Sequence, residues 1–195
     1  MVKKTLACVL VVGALCSLSA VAAESRDVLF KFDGAIGSQP LRVGPASNVV
    51  AGVAPGGAPW VVRSLKATVR TDGRIDISVK GVLLGGTDNI GTRGGPRRMV
   101  VSLFCRGPFV APAVAGPLVT ASYNSDFVDL DADGNFRLSG PLTNASGATP
   151  PIDCGDTIDN RPVLLIRTVA AATATTPAAP GAWFAAGILK SGSDD

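Results

Sequence analysis

Through residues 60–84 the apolar side chains fall on alternate positions, up to Thr71-Asp72-Gly73 and again beyond it. Leu65, Ala67 and Val69 share one parity before the turn and Ile75, Ile77 and Val79 share it afterwards, while Ser64, Lys66, Thr68, Asp76, Ser78 and Lys80 take the other. A period of two is that of a strand with one dry and one wet face, so the stretch predicts a β-hairpin. Parity also sets its register. Directly opposed residues of an antiparallel pair share a face, so two odd-numbered apolar sets pair only at an even sum of residue numbers. A two-residue Asp72-Gly73 loop would set Arg70 opposite Ile75 and fails. A three-residue loop 71–73 sets Val69 opposite Ile75, Ala67 opposite Ile77 and Leu65 opposite Val79, with Gly73 where such a loop needs positive φ at an exposed tip.

A second hairpin is expected over 127–138, where Val128, Leu130, Phe136 and Leu138 are all even-numbered. The same reasoning selects the loop Ala132-Asp133-Gly134, sets Leu130 opposite Phe136 and Val128 opposite Leu138, and brings Asp129 to face Arg137 on the wet side. Further strands are predicted at 28–32, 48–53, 99–105, 118–123, 162–168 and 183–190. In 99–105 the apolar Val101, Phe104 and Cys105 break alternation, which points to burial on both faces or a bulge, and the unbroken run 163–166 reads as a buried strand. Stretches 55–59, 85–98, 106–117, 143–160 and 170–180, rich in Gly, Pro or small polar residues, read as turns and loops. Eight or nine strands at this spacing predict an all-β chain folded as a single antiparallel β-sandwich, immunoglobulin-like or jelly-roll-like, with a closed β-barrel as the second architecture.

The first 23 residues depart from this pattern. Lys3 and Lys4, an apolar run from Leu6 to Leu18 and the small residues Val21-Ala22-Ala23 make a cleavable signal peptide, its apolar core shorter than the roughly 20 residues that span a bilayer. The expected organisation is therefore a signal peptide at 1–23, one β-domain at 24–190 and a polar tail at 191–195, with export to the periplasm or the medium. Without Lys3 and Lys4, 16 basic residues stand against 15 acidic ones, too even a balance for a nucleic-acid binder. Of the four cysteines only Cys105 and Cys154 remain, and a lone pair in an exported chain predicts a disulfide.

Histidine is absent, which removes Ser-His-Asp and Cys-His nucleophiles and His-bound metal centres. An acid–base pair would have to use aspartates, for example Asp88 with Asp153, Asp156 or Asp159, and no cofactor motif is present. Three binding constellations stand out. Arg93, Arg97 and Arg98, with Arg106 beyond the next strand, lie in or beside a glycine-rich loop and suit an anionic ligand. Trp60, Trp183 and Tyr123 could stack on a sugar. Asp129, Asp131 and Asp133 have the D-x-D-x-D-G spacing of a calcium loop, although position twelve is Gly140 rather than Glu and the same residues suit a hairpin turn. Asn144-Ala145-Ser146 matches a glycosylation acceptor and is set aside, because the leader is bacterial in style.

The segments Gly56-Gly57-Ala58-Pro59-Trp60-Val61, Gly81-Val82-Leu83-Leu84-Gly85-Gly86, Leu103-Phe104-Cys105 and Trp183-Phe184-Ala185-Ala186-Gly187-Ile188 together resemble small exported bacterial proteins of unassigned role. The resemblance implies an exported β-domain and carries over no catalytic residue. The expected function is a non-catalytic binding or structural module of the cell envelope or extracellular space, with a glycan or anionic ligand as candidate partner. The alternative is an Asp-based hydrolase or a calcium-dependent carbohydrate-binding module.

Overall fold

A computed structural model describes residues 27–43, 46–105, 121–155 and 161–190. The expected signal peptide, the polar tail, Arg106, Asp156 and Asp159 lie outside the described residues. Thirteen strands and no helix are found among those described. In chain order they are β1 (Val28–Gly37), β2 (Arg42–Val43), β3 (Ala46–Ser47), β4 (Trp60–Val61), β5 (Ser64–Arg70), β6 (Arg74–Lys80), β7 (Leu83–Leu84), β8 (Arg98–Cys105), β9 (Ala121–Asn124), β10 (Val128–Asp129), β11 (Phe136–Pro141), β12 (Val163–Ala170) and β13 (Ala179–Leu189).

One antiparallel sheet holds nine of them in the order β10-β8-β12-β13-β1-β5-β6-β11, with β9 in line with β10 along the same edge of β8. β2 with β3 and β4 with β7 form two short extra pairs. The two stacked layers expected from strand spacing are thus replaced by a single sheet curled into a half-barrel. Its bulges give the physical reason. β1 slips register against β13 between Phe32 and Ala35, and β13 slips twice against β12, on either side of Arg167. Each bulge bends and over-twists its strand, so the sheet wraps around its own apolar face instead of needing a second sheet. Arg167 braces the bulged region: its Nε donates to the Gly181 carbonyl at 2.8 Å and its Nη2 to that of Pro180 at 2.8 Å, and burial lowers its pKa.

The two ends of the sheet, β10 and β11, follow one another in the chain. The expected turn between them forms, with Gly134 N donating to the Asp131 carbonyl and Asp131 N to that of Asn135. The ladder beyond the turn does not form. β10 pairs with β8, setting Asp129 opposite Arg98, and β11 pairs with β6, setting Arg137 opposite Ser78, so the predicted Asp129–Arg137 and Val128–Leu138 pairings are absent. Leu130 and Phe136 nevertheless both enter the core. Past this seam a single isolated bridge, Asn124 to Thr143, ties the two ends together.

The first hairpin has the predicted register throughout: Val69–Ile75, Ala67–Ile77 and Leu65–Val79 are all opposed. Its inward side chains join Phe32, Met99, Val101, Leu103, Leu164, Ile166 and Phe184 in the interior of the curl. β8 and β12 are buried on both faces, as their unbroken apolar runs imply. Their outer face carries Phe104 and Leu165, which pack with Trp183 under Val50, Ala51 and Val53. Residues 48–53, expected as a strand, instead make a tight turn with reciprocal backbone bonds between Val50 and Val53. At one mouth of the curl Trp60 stacks on Phe184, ring centroids 4.1 Å apart, beside Leu84 and Val82. At the other, the Cys105–Cys154 disulfide joins the end of β8 to a segment whose Thr149 and Pro150 cover Gly73. Gly73 is therefore buried and not at an exposed tip.

Candidate ligand-binding face

The wet side of the first hairpin is the outer surface of β5 and β6, and the topology widens it. β1 flanks β5 and β11 flanks β6, so four strands present their outward residues side by side. Cross-strand partners line up in two rows, Lys31–Thr68–Asp76–Ser139 and Asp33–Lys66–Ser78–Arg137. Lys190, whose N–H donates to the Lys31 carbonyl, continues the face past β1. Together these residues line a shallow concavity of about 630 Å³. Arg70 and Arg74 extend the face toward the 71–73 turn and Lys80 extends it toward the opposite end.

The electrostatics are one-sided. Seven cationic side chains occupy the outward positions, against two carboxylates, Asp33 and Asp76, in a chain whose total of 18 basic and 15 acidic residues is nearly balanced. Asp76 is committed to internal contacts: Arg70 donates to its Oδ2 through Nε and Nη2, at 3.2 and 3.1 Å, and Ser139 Oγ donates to Oδ1 at 2.5 Å. The Ser139 bond, reinforced by the Arg70 bond and charge against some desolvation, holds the Asp76 carboxyl below its ordinary pKa. Lys31, Lys66, Arg74, Lys80, Arg137 and Lys190 are exposed and make no ion pair with a described residue. Like charges held on a rigid sheet attract anions more strongly than the same charges scattered.

Of the constellations predicted from sequence, Arg93, Arg97 and Arg98 gather about Leu130 and Asp129, whereas the aromatic and aspartate sets do not assemble among the described residues. Arg93 is spent on structure, its Nη1 donating to the Leu130 carbonyl at 2.9 Å. Arg98 lies 5.0 Å from the centroid of the Phe127 ring and opposite Asp129, while Arg97 is exposed and accepts the Leu130 N–H on its carbonyl. Trp60, Tyr123 and Trp183 are 4%, 6% and 2% exposed, so none offers a ring face to a sugar. Their apolar neighbours carried them into the core. Asp131 staples its own turn, its Oδ1 accepting the N–H groups of Asp133 and Asn135 at 2.9 and 2.8 Å, and Asp129 faces Arg98. No group of three or more potential metal ligands comes together among the described residues. Asp88 and Asp153 belong to segments that meet opposite ends of β8 and form no pair.

Sequence reasoning found half of this face, since Lys66 and Lys80 are on the predicted wet side. It missed Lys31, Arg137 and Lys190, because only the pairing of β1 and β11 with the hairpin brings them there. No family model, no curated protein and no solved structure matches the chain.

Proposed function

We propose that the chain is an exported, non-catalytic binding module of the envelope or extracellular space, and that the cationic face of β1, β5, β6 and β11 is where it takes an anionic ligand. The observation that carries this reading is the concentration on one sheet face of exposed cations, Lys31, Lys66, Arg74, Lys80, Arg137 and Lys190, that make no ion pair with a described residue. A disulfide suits an oxidising compartment and so supports export. The absence of histidine supports a binding role over nucleophilic catalysis.

The processed protein, residues 24–195, is expected to be retained on immobilised dextran sulfate at low ionic strength and released as salt screens the charges. Lys66→Glu with Arg137→Glu is expected to weaken binding at least tenfold. With both double variants compared at about 0.1 M salt, where a solvated charge acts mainly within a Debye length of about 10 Å, Arg97→Glu with Arg98→Glu, across the β10–β11 seam, is expected to leave it within about twofold. No retention of the wild type, or equal loss in both double variants, overturns the proposal.

A further inference from the structure

We infer that the ligand of this face is an acidic polysaccharide, a glycan chain carrying carboxylates among free hydroxyls. The inference rests on the anion-binding reading above and adds the identity of the occupant. Its basis is the order of groups on the sheet. In the row Asp33–Lys66–Ser78–Arg137 a cation alternates with a hydrogen-bonding group, and Thr68 sits beside Lys31 in the neighbouring row. Cross-strand diagonal neighbours such as Lys31 and Lys66 stand about 7–8 Å apart, and Lys66 and Arg137, two strands apart, about 10 Å. The cations thus match anionic groups separated by uncharged stretches, with polar partners in the intervals.

Those partners are available. The side chains of Asp33, Thr68 and Ser78 make no hydrogen bond or ion pair with a described residue, in contrast to Asp76, which Arg70 and Ser139 occupy. A carboxylate at Asp33 opposes a ligand charged at every position and favours one that donates a hydroxyl there, because a charge-assisted hydrogen bond is the stronger kind. A single-stranded nucleic acid also wants aromatic platforms for its bases, and the outward positions of these four strands hold none.

Binding is measured by calorimetry with polygalacturonate, its fully methyl-esterified form, poly-L-glutamate and a DNA duplex, at equal concentration of charged groups for the three polyanions. Polygalacturonate is expected to bind at least tenfold more tightly than polyglutamate or DNA, and the neutral ester not to bind. Asp33→Asn is expected to weaken polygalacturonate fivefold or more while leaving polyglutamate unchanged or tighter, a divergence that charge alone cannot produce. Ser78→Ala is expected to act in the same selective way and guards against a folding defect in the first variant. If polyglutamate or DNA equals polygalacturonate, or if Asp33→Asn tightens every polyanion alike, the glycan assignment falls and the anion face stands. If no polyanion binds, both fall.

Discussion

Two residues show how far a single side chain can decide local structure. Ala51 has φ of 49° and is followed by Gly52 at 78°, so both central residues of the Val50–Val53 turn are left-handed. A side chain other than Gly or Asn pays about 1 kcal/mol or more for that conformation. Ala51→Asn, which creates the Asn-Gly pair that such turns prefer, is expected to raise stability by about 0.5–1 kcal/mol in urea denaturation. At the second turn, Asp131 is held below its ordinary pKa chiefly by the Asn135 N–H, with further bonds from the Asn135 side chain and the Asp133 N–H outweighing slight desolvation. Because its pKa is lower folded than unfolded, its stabilising contribution is complete above the unfolded value of about 3.9 and is lost as pH falls through the folded one. Asp76 acts in the same direction. Urea titrations between pH 2.5 and 6 are expected to show a shallower acid loss for Asp131→Asn than for wild type.

At the scale of elements, the two hairpins separate what is local from what is not. β5 and β6 pair with each other, so the alternation of their own residues carries the whole register, and parity recovers it residue by residue. In the second hairpin parity recovers the turn, which is equally local. It fails for the arms, because Val128 finds Met99 and Leu138 finds Ile77, partners about 30 and 60 residues away that no short-range pattern announces. Burial at Gly73 escaped for the same reason. It is covered by Thr149, more than 70 residues on, and a Cβ built there would lie 2.5 Å from the Thr149 Cβ at a φ of 78°. Gly73→Val is expected to cost on the order of 2–4 kcal/mol, combining left-handed strain with overpacking. Adding Thr149→Gly is expected to recover the overpacking part and leave the strain, a split that urea midpoints of the single and double variants resolve.

Across the whole molecule, the all-β character and the alternation of the central hairpin were legible, and so was the cysteine pairing, whereas thirteen strands form among the described residues where eight or nine were expected. Curling into one sheet was not legible, because it arises from bulges in β1 and β13, and a bulge is a mismatch between two strands that neither strand's own pattern records. The cationic face is only half legible for a related reason: Lys66 lies on the predicted wet side, but Lys31 and Arg137, more than 100 positions apart, join it only through the sheet order. The disulfide closes a loop with a sequence separation of 49 at the mouth opposite Trp60. The chain-entropy model gives such a cross-link about 4 kcal/mol. Cys105→Ala with Cys154→Ala is expected to lose up to that amount in denaturation and to keep its affinity for dextran sulfate at 10 °C, because the cationic face lies on other strands.

An open sheet of this width would end in two rows of unpaired amides and carbonyls, each a template on which another polypeptide could add a strand. Here the two terminal strands are successive arms of one turn and face each other across the seam, pinned by the Asn124–Thr143 bridge. Each margin shields the other from intermolecular pairing, so the chain obtains much of the protection against aggregation that a fully closed cylinder enjoys without completing the last ladder.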